Sequence, residues 1–148
     1  MGDIDQKTLE SMIRKVLTEI ISENQDGCKH VDPSGVMSFH TPLWKPEPFD
    51  TGKAGDKVYL KDMVSLEESP RLGFGVMELD HSTFRWTLNY DEVDYVIDGT
   101  LEILIDGRKV VGQAGDVIFI PARSTIEFSS PNLARFLYVV YPANWYEQ

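Results

Sequence analysis

Glu92 and Asp94 are the two side chains from which chemistry is most readily built. They stand two apart at the start of Val93–Ile97, a run rich in β-branched and aromatic residues that reads as a strand. Side chains two apart on a strand share a face, so the carboxylates lie roughly 7 Å from each other along one side. If that side faces a core, together with Val96, two anions are expensive to bury. One must then titrate high, or a cation or donor must sit between them. In the other register Val93, Tyr95 and Ile97 face the core and both carboxylates stand in water. A pair of oxygen ligands with few basic neighbours favours a hard cation such as Mg²⁺, which takes oxygen donors and keeps several waters.

Other chemistries lack their residues. Gly52-Lys53-Ala54-Gly55 has neither the spacing nor the hydroxyl of a phosphate-binding P-loop, and no Gly-x-Gly-x-x-Gly fingerprint occurs. No Ser or Cys stands beside an identifiable base. Cys28 and His30 form a Cys-x-His pair, which by itself is short of the four ligands of a structural zinc site. With His40 they read as surface or packing residues. His81 falls in the turn Asp80-His81-Ser82 and is expected in solvent. The residues alone specify no reaction.

The elements that must position Glu92 and Asp94 form a β meander. Leu101, Ile103 and Ile105 recur at period two, the mark of a half-buried strand. Asp106-Gly107 between apolar runs predicts a type I′ hairpin. Val110-Val111 returns, Gly112 and Gly115 interrupt, and Val117–Ile120 is a further strand stopped by Pro121. Gly99 is expected to close the strand that carries Glu92. With further candidates from Val58 to Arg135–Tyr141, the short regular spacing predicts a sandwich or barrel over residues 56–148. Residues 25–55 carry many breakers and read as a linker with one strand at Val36–Phe39, pinned to the barrel by Trp44 and Phe49. Residues 1–24 hold an amphipathic helix: Leu9, Met12, Ile13, Val16, Leu17, Ile20 and Ile21 form one stripe, and Asp3 or Asp5 caps it. The stripe needs a surface to lie on: the barrel, a twin helix in a dimer, or another protein.

The net charge of −10 disfavours nucleic acid and anionic membrane surfaces. A single cysteine excludes an intrachain disulfide framework. The polar, acidic start MGDIDQKTLE is unlike a signal peptide, and no apolar run approaches transmembrane length, so a cytoplasmic location is expected.

The order of glycines, carboxylates and proline resembles the cupin family. Glu92 with Gly99 fits the end of that family's first motif, and Gly115 with Pro121 fits its second. Arg123, Ile126 and Ser130 stand where Gly, His and Asn are expected. The His pair of the first motif is replaced by Arg85 and Thr87, or by Trp86 and Leu88, depending on the spacing. The resemblance implies an all-β double-stranded β-helix, a jelly-roll barrel, with Glu92 facing its interior and no transition-metal site. It places Arg85, Thr87, Trp86 and Tyr90 around the pocket of a small-molecule ligand. From Phe49 onward, PFDTG, WTLNYDEVDYVIDG, LEILIDGR, GDVIFIP and the final ARFLYVVYPANW resemble one branch, the EutQ family of ethanolamine utilisation. That likeness implies a bacterial microcompartment setting, with residues 1–24 meeting shell or core proteins. It also implies an acetate kinase activity, acetyl phosphate and ADP giving acetate and ATP, with Mg²⁺ at Glu92 and Asp94. The alternative is a non-catalytic ligand-binding or assembly module. A homodimer is expected, through Arg135–Tyr141 with Trp145 and Tyr146.

Overall fold

The structure, a computed structural model, describes residues 5–25 and 27–148, with the side chains of 18–25 outside the description. The chain forms two compact units, one ending at Leu43 and the other running from Trp44 to Gln148.

In the first unit, helix α1 spans Gln6–Gln25. Asp5 caps it: the Thr8 backbone N–H donates to Asp5 Oδ1 at 2.9 Å and the Thr8 hydroxyl to Oδ2 at 2.9 Å. A first-turn donor that the helix itself leaves unpaired is thereby satisfied. Leu9, Met12, Ile13, Val16 and Leu17 are each about half exposed. Asp3 and the side chains of Ile20 and Ile21 lie outside the described residues. The stretch expected as a linker is more ordered than its breakers suggest. Strands β1 (Lys29–Val31) and β2 (Met37–Phe39) pair antiparallel across a turn containing Pro33-Ser34-Gly35.

The second unit is a curled antiparallel sheet. Its strands are β3 (Glu47–Pro48), β4 (Val58–Asp62), β5 (Gly73–Asp80), β6 (Thr83–Leu88), β7 (Asp91–Ile105), β8 (Arg108–Gln113), β9 (Val117–Ile120), β10 (Ser124–Ser129) and β11 (Leu133–Tyr141). They lie in the order β3-β4-β5-β11-β7-β10-β6, with β8 and β9 also on β7. This is the all-β jelly-roll arrangement that the turn spacing predicts. Asp106 and Gly107 both adopt positive φ, 50° and 74°, as a type I′ hairpin requires. Trp44 and Phe49 anchor the entry to the barrel. The Trp44 indole donates to the Lys61 carbonyl, and Phe49 packs edge-on to Trp86 at 5.8 Å.

One expectation is corrected. Gly99 does not close a strand, because β7 runs unbroken for 15 residues through it. Gly99 has φ 74°, and a Cβ there would lie 1.6 Å from the Leu133 carbonyl oxygen. A residue without a side chain lets the strand bend under that backbone, where any other would collide. The first half of β7 therefore pairs with β9 and β11, and the second half with β8 and β10. No helix among the described residues is long and apolar enough to cross a membrane.

Candidate functional site

The alternation along β7 is sharp at its start. Asp91, Val93 and Tyr95 are exposed, whereas Glu92, Asp94 and Val96 are buried. The register is the one with the carboxylates inside: Glu92 is 4% exposed and Asp94 not at all. Each sits on a rung of paired residues. Ile120, Glu92 and Val140 face one another across β9, β7 and β11. The next inward rung is Ile118, Asp94, Tyr138, Gly75 and Asp62, five strands wide.

Neither Asp94 oxygen has a hydrogen-bond partner among the described residues. The carboxyls of Glu92 and Asp94 are close enough to influence each other's protonation, though no hydrogen bond of good geometry joins them. Burial pushes Glu92 up to about 7. Asp94 rises as well, first through burial and then through the charge of Glu92. Two acceptors without donors in an apolar setting hold a proton, or call for a cation.

Glu92 forms the polar end of a cavity of about 20 Å³. A space of that size takes a water or two and no phosphate ester. Its other walls are largely aromatic, with Phe49, Phe84, Trp86, Phe128, Tyr138 and Trp145 prominent. Trp86 donates through Nε1 to Tyr90 Oη at 2.8 Å, and Tyr90 also lines the cavity. Burial, then the negative charge of Glu92, raises the Tyr90 phenol. Ile126 is buried and pairs across the sheet with Trp86. Among the described residues, no group of three or more His, Cys, Asp or Glu is placed to hold a metal.

Trp86 and Tyr90 therefore meet Glu92 in the cavity, whereas Arg85 and Thr87 do not. On β6 the buried phase is Phe84, Trp86 and Leu88, which sends Arg85 and Thr87 to the outer face. The physical reason is the aromatic core: Phe84 stacks on Phe128 at 5.4 Å and Trp86 packs on Trp145 at 6.0 Å. Arg85 lines an open outer groove with Arg108, Lys109 and Glu127, and Thr87 shares a hydroxyl hydrogen bond with Thr125. Trp145, expected on an outer apolar surface, is an interior wall.

Tyr138 and Asp62 are site residues that sequence reasoning did not single out. The Tyr138 hydroxyl donates to Asp62 Oδ1. A signal for Tyr138 did exist, since it shares the inward phase of β11 with Phe136 and Val140. Asp62 had none, because only strand register brings it onto the rung of Asp94.

The chain matches the family model for ethanolamine utilisation protein EutQ over residues 4–147. It is 51% identical to the acetate kinase EutQ of Clostridioides difficile, over all of this chain and 98% of that protein. It is 35% identical to the acetate kinase EutQ of Salmonella typhimurium, over 92% of this chain but only 63% of that longer protein. The crystal structure of the Clostridium difficile EutQ protein superposes with TM-score 0.79 at 56% identity, covering 81% of this chain and 90% of that one. A Cupin_2 domain from Enterobacter cloacae shares the fold at 17% identity, with TM-score 0.50 over 57% of this chain and 95% of that domain.

Proposed function

Because the chain belongs to the EutQ family of ethanolamine utilisation proteins, we propose that its buried Glu92–Asp94 pair is the centre of an acetate kinase activity. The phosphorus–oxygen bond to the acetyl group of acetyl phosphate breaks, and a new one forms to the terminal phosphate of ADP. Acetate leaves with the bonding electron pair. The observation that carries this reading is Asp94, sealed from solvent with both oxygens unpartnered beside Glu92. Support for the reaction itself comes from the name of the relatives.

Orphaned carboxylate oxygens suit a hard cation, so Glu92 and Asp94 are the residues that would hold Mg²⁺, with water or phosphate oxygens completing its shell. Mg²⁺ supplies charge to offset the phosphates of acetyl phosphate and ADP. The aromatic walls keep bulk water from competing for the phosphoryl group. A transition metal is not part of this reading. Admission of a phosphate to a 20 Å³ cavity requires Trp145 or a neighbouring wall to move.

That small volume favours the second reading, a non-catalytic ligand-binding or assembly module of a bacterial microcompartment. In either reading residues 1–24 meet shell or core proteins. A coupled assay for ATP from acetyl phosphate and ADP separates the two. Kinase activity present in the parent and lost in both E92Q and D94N supports the first. No activity in protein free of contaminating kinase overturns it.

A further inference from the structure

A groove of about 170 Å³ opens between the loop that follows β4 and the last residues of the chain. Asp62 and Glu147 bring carboxylates to it, Ser69 a hydroxyl, and Trp145 and Tyr146 aromatic surface, whereas no Lys, Arg or His is among its lining residues. Such a wall repels phosphates and suits a cation.

Two of these side chains have bonding capacity to spare. Asp62 takes the Tyr138 hydroxyl on Oδ1, and its Oδ2 receives no donor among the described residues. Tyr138 is itself buried, so that one bond fixes the direction of the carboxylate. Trp145 is only 9% exposed, packed among Trp86, Tyr90 and Tyr146. The indoles of Trp44 and Trp86 both donate hydrogen bonds, but that of Trp145 reaches no acceptor among the described residues. A donor so nearly buried costs free energy until something accepts from it. Ser69 spends its proton on the Leu72 carbonyl, which leaves its oxygen to accept.

We propose that this groove binds a small aliphatic amino alcohol, with its ammonium on Asp62 and its hydroxyl oxygen accepting from Trp145 Nε1. An ammonium offers three donors and no acceptor, which answers Asp62 Oδ2 and Ser69 Oγ together. The exposed ring of Tyr146 adds cation–π attraction, and the Glu147 carboxylate adds a second negative charge at the rim. The indole can only donate, so it needs an oxygen on the ligand. The groove is smaller than the roughly 300 Å³ at which pockets for drug-sized ligands begin, so its ligand has a few heavy atoms. Glu92 and Asp94 do not line it, and it binds its ligand whether or not that pair supports a kinase.

The test follows the indole N–H resonances of the full, isotope-labelled chain by NMR. Ethanolamine, the simplest amino alcohol, is added at constant pH and ionic strength. The Trp145 resonance is identified by its loss in W145F. It is expected to move to saturation with ethanolamine. Ethylamine, which lacks the hydroxyl, should need about fivefold more, and ethylene glycol, which lacks the charge, about tenfold more or worse. D62N keeps an oxygen for the Tyr138 hydrogen bond but loses the charge, and should raise the ethanolamine midpoint about tenfold or more. A Trp145 resonance that ethanolamine leaves in place overturns the site. Equal midpoints for ethanolamine and either analogue, or a parental midpoint in D62N, overturn the assigned contacts. The ligand series needs no variant, so it decides the matter whatever D62N does to folding. A chain without kinase activity should titrate in the same way, so failure of that activity and failure of this site are told apart.

Discussion

At the scale of the residue, burial sets the behaviour of Glu92 and Asp94. The folded chain holds a proton near this pair that the unfolded chain releases at lower pH. Because the folded values are raised, the associated stability is complete below the ordinary glutamate value of 4.5 and is lost as pH rises through about 7. One proton taken up on folding is worth about 1.4 kcal/mol per pH unit over that window. Urea unfolding at pH 5 and pH 8 is expected to show the parent weaker at pH 8. E92Q and D94N keep the shape without the charge, so each should flatten this slope and exceed the parent at pH 8 by on the order of 2 kcal/mol. A parent equally stable at both values means that something already neutralises the pair, and added Mg²⁺ or a chelator then identifies it.

At the scale of the element, the close approach of strands decides which substitutions the barrel tolerates. G75A drives a methyl into Tyr138 Oη and into the backbone carbonyl of Lys61, and the carbonyl cannot swing aside as a side chain would. Its urea midpoint should fall by the equivalent of roughly 3 kcal/mol, as for overpacked cores. Little change would show that β4 and β5 can part at this rung. Helix α1 poses a different question, because its stripe is half exposed at Leu9, Met12, Ile13, Val16 and Leu17. A chain starting near Gln25 is expected to keep its thermal transition and to lose co-localisation with microcompartment shell proteins. If truncation unfolds the chain, the stripe belongs to its own core and the targeting role is withdrawn.

At the scale of the whole molecule, the outer face of the barrel carries an uncharged apolar area. Phe119, Val93 and Val139 form one row across β9, β7 and β11, and Val117, Tyr95 and Leu137 form the next. Phe119 and Val117 are 61% and 62% exposed. A contiguous patch of this kind marks an interaction surface. With a net charge of −10, two copies meet at least electrostatic cost where neither presents charge. We therefore place the expected homodimer on this face, rather than on Trp145, which is interior. Sedimentation should give twice the chain mass for the parent and the single-chain mass for F119E. A monomeric parent, or a dimer indifferent to F119E, removes this assignment.

Much of the barrel was legible in the sequence because its signals are local. Alternation in Glu92–Val96, the Asp106-Gly107 turn and the stop at Pro121 each act within a few residues of chain, where pleat geometry and φ preference leave little choice. The partnership of Glu92 with Asp94 followed from period two alone. Period two does not choose the phase, however, and a shift of one residue reverses every side chain. On β6 the phase was settled only when Phe84 and Trp86 met Phe128 and Trp145, which left Arg85 and Thr87 outside. Asp62, Gly75, Tyr138 and Asp94 are scattered along the chain, and register between distant strands alone places them on one rung. Gly99 looked like a terminator for the same reason. Its positive φ permits either a turn or a bend, and the Leu133 carbonyl lying against it selects the bend. Local chain preferences determined the strands and put Glu92 and Asp94 on one face. Contacts between strands remote in sequence decided what surrounds that pair, because no local pattern encodes register across a sheet.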